Sequence, residues 1–285
     1  MLEVRNAHFP FPEYPVGLAQ GYLKISKDEY QPLQGRRFVV RKGKQGLEIV
    51  GIVSSRFALV PNELVEAKVA RIVKTHGLEL LEIGYSKRGT ALRIDLLSPK
   101  LAAIQPAVEK GDLVRFGFSI RNSIDGTTAL AVDLLSYRLS CKNGATAAYV
   151  DFRYVARHVG EPSELIASSE NALSEAITKA EPHMDKLADF YRKLTAIPFS
   201  EAIAQAILKL DLPAMYYSGL PLEIVRDEKD PKKISRIELL PNRLSAWDVF
   251  NHLTARLSHN SRTSLPHRSE ITRRLHRMVQ EAIGV

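Results

Sequence analysis

The sequence predicts an α+β fold: a mostly antiparallel sheet of hairpins with one packed helix over residues 1–144, then a helical region packing on it over 145–285. Three observations predict this. Up to about Ser140 the apolar residues come in short β-branched or alternating runs punctuated by turn residues, the period of strands. After Gly144 they step by threes and fours, the period of helices. With 285 residues and 45% hydrophobic content, the chain can bury the core of one large domain or two modest ones.

Taken in order, Arg37–Arg41 and Leu47–Val53 flank Lys42-Gly43-Lys44-Gln45-Gly46, and Glu79–Tyr85 and Ala91–Leu97 flank Lys87-Arg88-Gly89, giving two hairpins with basic tips. Leu113–Arg121 and Thr127–Leu139 form a third, because the Asp125-Gly126 step supplies the positive φ that a tight turn needs. Between the first two hairpins, Glu63–His76 reads as a helix. Asn62 is placed to cap its free amides, Glu63 and Glu66 suit its first turn, and Gly77 ends it.

Beyond a helix expected to begin near Ala145, a long amphipathic stripe runs through Leu165, Leu173, Ile177, Met184, Leu187 and Leu194. Pro182 is expected to break or kink it, or to sit in the first turn of a restarted helix. Ser200–Leu210 reads as a helix, and the charged run Arg226–Lys233 as a solvated loop. Two helices close the chain: Ala246–Leu257 capped by Ser245, and Glu270–Ile283 capped by Ser269 after a break at Pro266.

No run approaches the roughly 20 apolar residues that span a bilayer. Pro10, Pro12 and Pro15 stand where a hydrophobic signal core would lie. The only cysteine, Cys141, has no thiol to pair with, so neither an intramolecular disulfide nor a Cys-based zinc site is available, and a cytoplasmic setting is expected. Forty Lys and Arg against 32 Asp and Glu give a formal charge of +8, which attracts polyanions and sets no fold.

The expected nucleic-acid surface lies on the third hairpin and just after it. Arg115, Ser119 and Arg121 alternate with Phe116, Phe118 and Ile120, so one strand face reads as basic and the other as buried. Downstream, Arg138, Lys142, Tyr149, Arg153, Tyr154, Arg157 and His158 interleave cations with rings. Cations neutralise phosphate, and rings offer stacking platforms worth roughly 1–3 kcal/mol per base with little sequence preference, a mixture suited to single strands. The same residues also read as the core and exposed face of an ordinary helix. In the Arg-rich end, seven arginines face three acidic residues over 241–285, and the pairs His252 with Arg256 and Arg273 with Arg277 stand one helical turn apart, placed to grip phosphate. Trp247 and Phe250 read as core anchors.

Catalytic signatures are sparse. The chain has no Walker-type phosphate loop, no dinucleotide fingerprint and no nucleophile elbow, and its histidines lack metal-ligand spacing, so neither a catalytic residue nor a cofactor is expected. An alternative is a metal-dependent nuclease using Asp95, Asp125 or Asp133. Another is a protein-interaction or structural protein that binds a partner through Leu173, Ile177 and Met184.

Four segments carry a resemblance: Ile52–Glu63, Asn122–Thr127, Tyr137–Gly144 and Ala246–Thr254. In this order they resemble the family of phage- and plasmid-related proteins grouped as domain of unknown function nine hundred and thirty-two. That resemblance implies a mobile-element setting and a role in DNA replication or recombination, and it transfers no catalytic residues. The strand and helix order is also similar in outline to phage single-strand annealing proteins, which form oligomers around a DNA groove; that likeness is of architecture alone. The partners implied are nucleic acid, single-stranded DNA above all, and further copies of the chain.

Overall fold

The structure is a computed structural model describing residues 2–27, 29–99, 114–138, 143–146, 153–228, 230, 234–258 and 265–284. It is a mixed α+β fold in which antiparallel sheets dominate the first half and helices the second. Two compact units make up the chain, and neither is a single run of sequence. One comprises residues 1–96, 119–132 and 153–177, the other 97–118, 133–152 and 178–285.

The first unit begins with a four-stranded antiparallel sheet in the order β1 (Leu2–His8), β2 (Val16–Lys24), β3 (Tyr30–Gly43), β4 (Gly46–Ser54). Its last hairpin follows the expected turn, with Gly43 opposite Gly46 across Lys44-Gln45. Strands β1 and β2 carry no strong alternation in sequence, and they form by pairing rather than by pattern. The sheet is apolar on both sides. Val16, Leu18, Val39 and Val53 pack with Phe57, Leu59 and Ile124, while Ala19, Phe38 and Val40 pack under Val4, Phe9 and Leu33. Gly21 is required by that second core: a Cβ there would lie 2.6 Å from the ring of Phe38, which is fully buried.

Helix α1 (Asn62–His76) ends as expected at Gly77, in the left-handed conformation with φ 64°. Asn62 is not its side-chain cap. The Asn62 amide instead donates to the carbonyls of Gly89 and Thr90, and its Oδ1 accepts from Asn122 at 2.8 Å, tying the helix start to two hairpins. Strands β5 (Glu79–Tyr85) and β6 (Ala91–Leu97) keep the boundaries read from sequence. With β7 (Val114–Ser123), β8 (Leu130–Arg138), β9 (Asn143–Thr146) and β10 (Arg153–Ala156) they make a six-stranded sheet ordered β10-β8-β7-β6-β5, with β9 beside β8. Among the described residues, strands β9 and β10 stand where a helix from Ala145 was expected.

Helix α2 (Pro162–Ala196) is continuous through Pro182. A proline removes one bond from a 35-residue ladder, and the intact turns on either side carry the helix across it. In the second unit, α3 (Glu201–Leu208) and a 3₁₀ turn (Ala214–Tyr216) lead to the hairpin β11 (Leu222–Arg226) and β12 (Ile234–Leu239), whose connection holds the charged run. Helix α4 (Ala246–Ser258) begins with a capping box: Ser245 Oγ accepts from the Asp248 N–H, and the Asp248 carboxylate accepts from the Ser245 N–H at 2.7 Å. Helix α5 (Leu265–Ile283) starts before Ser269, with Pro266 inside its first turn, where a missing N–H removes no helical bond. Trp247 and Phe250 are core anchors, packed at 4.9 and 5.8 Å from the Tyr191 ring.

Candidate nucleic-acid interface

The basic face expected on the third hairpin is not an open face. Every residue of β7 except the half-buried Arg115 is buried, with Arg121 5% and Ser119 0% exposed. Strand alternation correctly separates Arg115, Ser119 and Arg121 from the aromatic side, but both sides are covered. The Ile124 N–H bonds to the Thr90 carbonyl and the Ser98 N–H to the Phe116 carbonyl, each at 2.9 Å. An antiparallel ladder between those bonds sets Arg93 opposite Arg121 and Asp95 opposite Ser119. Arg115 and Arg121 are both engaged in interactions within the protein.

The other expected contacts scatter. Arg157 and Arg277 are exposed and Tyr154 is half-buried. Arg273 is buried and ion-paired with Glu270, so it is held away from a ligand phosphate. Arg138 and Arg153 lie on strands β8 and β10, while their side chains, and Lys142 and Tyr149 altogether, fall outside the described residues. Of the second phosphate pair, Arg256 donates to the Ser218 carbonyl at 3.1 Å, and His252, with its pKa lowered by burial and then by Arg256, is held neutral. His276, between Arg273 and Arg277 on α5, is fully buried among Phe190, Tyr191 and Phe250. Burial pushes its pKa down to about 3.

Nor do the carboxylates of the nuclease alternative gather. Asp95 is held by Arg93 through two bonds, 2.7 and 2.6 Å. Burial pushes the Asp125 pKa up, but bonds from Thr127, Thr90 and Ser123 outweigh it and hold the carboxyl below its ordinary range. Among the described residues no three His, Cys, Asp or Glu side chains converge as metal ligands. In the proposed partner stripe, Leu173 is 1% exposed and belongs to the core, while the side chains of Ile177 and Met184 fall outside the described residues.

What the fold does assemble is a cation and aromatic platform on the amino-terminal sheet, built from residues that sequence reasoning did not single out. Pairing sets Arg5 opposite Gln20 and Gln20 opposite Arg37 across β1, β2 and β3, with Lys24 opposite Tyr30 two repeats of the pleat further along β2. Gln20, Tyr22 and Lys24 alternate along β2 on one face, continuing the parity of Val16 and Leu18. The apolar half of that face is covered and the cationic half is accessible. The Arg5 guanidinium lies 4.5 Å from the centre of the Tyr30 ring and 5.4 Å from that of Tyr22, and the Lys24 ammonium lies 5.4 Å from Tyr30. Arg5 and Arg37 are exposed, and the two tyrosines and Lys24 half-exposed. The strand β3 is irregular here: four residues lie between Pro32 and Arg37 where one lies between Gln20 and Tyr22 on β2, and Gly35 among the four takes a φ of 66°. The Gln20 amide ties down the loop by donating to the Leu33 carbonyl at 3.2 Å.

Chemically, such a surface has cations to neutralise phosphates and flat rings to receive bases, on a scaffold whose strands fix their spacing. The fold and this surface together define an α+β protein with a cation and aromatic platform on its amino-terminal sheet. By sequence, residues 49–280 match the family described as Domain of unknown function (DUF932), and the chain belongs to that family. Strands β1 to β3, which carry the platform, precede the matched residues. No curated protein and no solved structure matches the chain.

Proposed function

We propose that the protein is a nucleic-acid-binding accessory protein that prefers single strands and acts in DNA replication or recombination on a mobile genetic element. One observation carries the reading: a guanidinium, an ammonium and two tyrosine rings are interleaved on one accessible corner of the amino-terminal sheet. Stacking on an aromatic ring needs an unpaired base with a free face, which a duplex withholds, so the tyrosines favour single strands. The formal charge of +8 supports the electrostatic share of binding and makes it sensitive to salt.

The test is fluorescence-anisotropy titration of single-stranded and duplex DNA of equal length across salt concentrations. Tighter single-strand binding is expected, reduced by roughly 5- to 150-fold per ring in Tyr22→Ala and Tyr30→Ala, the range that 1–3 kcal/mol of stacking corresponds to. Arg37→Ala is expected to flatten the salt slope while leaving the preference for single strands. Wild-type protein that binds neither DNA at low salt would overturn the proposal.

A further inference from the structure

We propose that the two basic hairpin tips of the first unit, Lys42 to Lys44 between β3 and β4 and Lys87 with Arg88 between β5 and β6, form one surface for the backbone phosphates of a duplex. The substrate is then a duplex with a single-stranded extension. This rests on the nucleic-acid reading above and adds the paired half of the ligand.

Arg41 joins the two tips. Its Nη2–H donates to the Arg88 carbonyl at 3.3 Å, and a Cβ on Gly89 would lie 3.3 Å from its Nη1, so the second tip lies against the end of the first. That second tip is itself fixed, because the Ser86 carbonyl accepts from the Gly89 N–H at 2.8 Å and Ser86 Oγ accepts from the Thr90 and Ala91 N–H groups at 3.1 and 3.0 Å. On the first tip, the Lys42 ammonium lies 4.3 Å from the centre of the Phe9 ring. Residues 41–48 and 86–90 together hold five cations and one carboxylate, Glu48, which lies 3.8 Å from Arg41. Lys42, Lys44, Lys87 and Arg88 are all exposed.

Cations on two tips neutralise backbone phosphates whether or not the bases are paired, and they read no sequence. A duplex presents the densest row of such phosphates, one charge per about 1.7 Å of its axis. The tips and the platform also share a sheet. Arg41 pairs with Val16 at the start of β2, and Tyr22 follows six residues further along that strand on the same face, a distance of about 20 Å. That is about six nucleotides at about 3.4 Å each, so a strand leaving a duplex at the tips reaches the tyrosines.

The experiment measures, by fluorescence anisotropy, binding of a blunt duplex, a thymidine decamer, and the same duplex carrying a thymidine decamer as an overhang. The wild type binds the overhang duplex tightest. In the triple variant Lys44→Ala, Lys87→Ala, Arg88→Ala, which changes exposed side chains, the salt slope on the blunt duplex falls by about 2 to 3, or about 0.9 per lost contact, and its affinity at about 0.15 M salt falls roughly 10- to 100-fold. The overhang duplex then binds no tighter than the decamer. The double variant Tyr22→Ala, Tyr30→Ala keeps the blunt-duplex slope and loses the advantage of the overhang.

Blunt-duplex affinity and slope that are unchanged in the triple variant overturn the tip surface and leave the platform standing. Decamer binding that is unchanged in the double tyrosine variant removes the platform, and the overhang substrate falls with it. Binding to vesicles of phosphatidylserine and phosphatidylcholine that is lost in the triple variant, with no binding of the wild type to the blunt duplex, assigns the tips to a lipid surface and overturns the proposal.

Discussion

Arg93 and Asp95 sit two residues apart on one face of β6, each 2% exposed, and are joined by two bonds, Nε–H to Oδ1 at 2.7 Å and Nη2–H to Oδ2 at 2.6 Å. The paired geometry keeps a guanidinium inside a sheet in which every residue of the strand is buried. Removing the Asp95 carboxylate takes two charge-assisted bonds from a buried guanidinium. Asp95→Ala is therefore expected to cost about 3–5 kcal/mol in urea denaturation. An unchanged midpoint would show that water reaches the pair.

Arg121, opposite Arg93 across the strand pair, is expected to behave as a structural residue. Arg121→Ala should lower the unfolding midpoint and leave the salt dependence of DNA binding unchanged, because a 5% exposed guanidinium that is already engaged has no access to phosphate. Paired denaturation and anisotropy measurements decide it. A flattened salt slope in a fully folded variant would put Arg121 back at the interface.

His276 gives a pH dependence whose sign is set by burial. Its folded pKa is near 3 against an ordinary 6.5, so between those values the unfolded chain binds a proton that the folded chain refuses. The contribution of His276 is flat between about pH 6.5 and 9 and falls as pH drops through this window, by up to about 1.4 kcal/mol per unit. The pKa values of His158 and His252, also lowered with burial as the largest cause, act in the same direction. Urea denaturation at pH 7.5, 6 and 5 should show the decline, and His276→Phe should reduce its slope.

The platform depends on the glycine behind it. Gly21→Ala puts a methyl 2.6 Å from the Phe38 ring, which is 0% exposed and has nowhere to go. A cost of about 1–3 kcal/mol is expected, together with weaker single-strand binding, since Gln20 and Tyr22 flank the glycine. Circular dichroism melts and anisotropy on the same preparation test both effects.

Much of the fold is legible without coordinates. Strands β5 and β6 follow from alternating apolar residues around Lys87-Arg88-Gly89, the end of α1 from Gly77, and the start of α4 from Ser245 and Asp248 three residues apart. Each is a local matter, settled by backbone bonds and φ preferences within a few residues. The family motifs were legible as well, and the match over residues 49–280 includes all four segments.

The sites were not legible in the same way. Alternation along β7 separates two faces, but whether water reaches one of them depends on what the rest of the chain lays over it, and here both are covered. His276 looks like any surface histidine until Phe190, Tyr191 and Phe250 close around it from distant positions. Arg5, Tyr22 and Tyr30 share no motif, and only antiparallel pairing, with its register shift in β3, brings them within stacking distance. The sequence by itself determined the α+β class, the β3–β4 and β5–β6 hairpins, the end of α1, the start of α4 and the family, because the local elements among these rest on short-range backbone chemistry. Tertiary structure alone decided which cations are buried in pairs and which meet aromatic rings in the open, because solvent exposure depends on contacts between segments far apart in the chain.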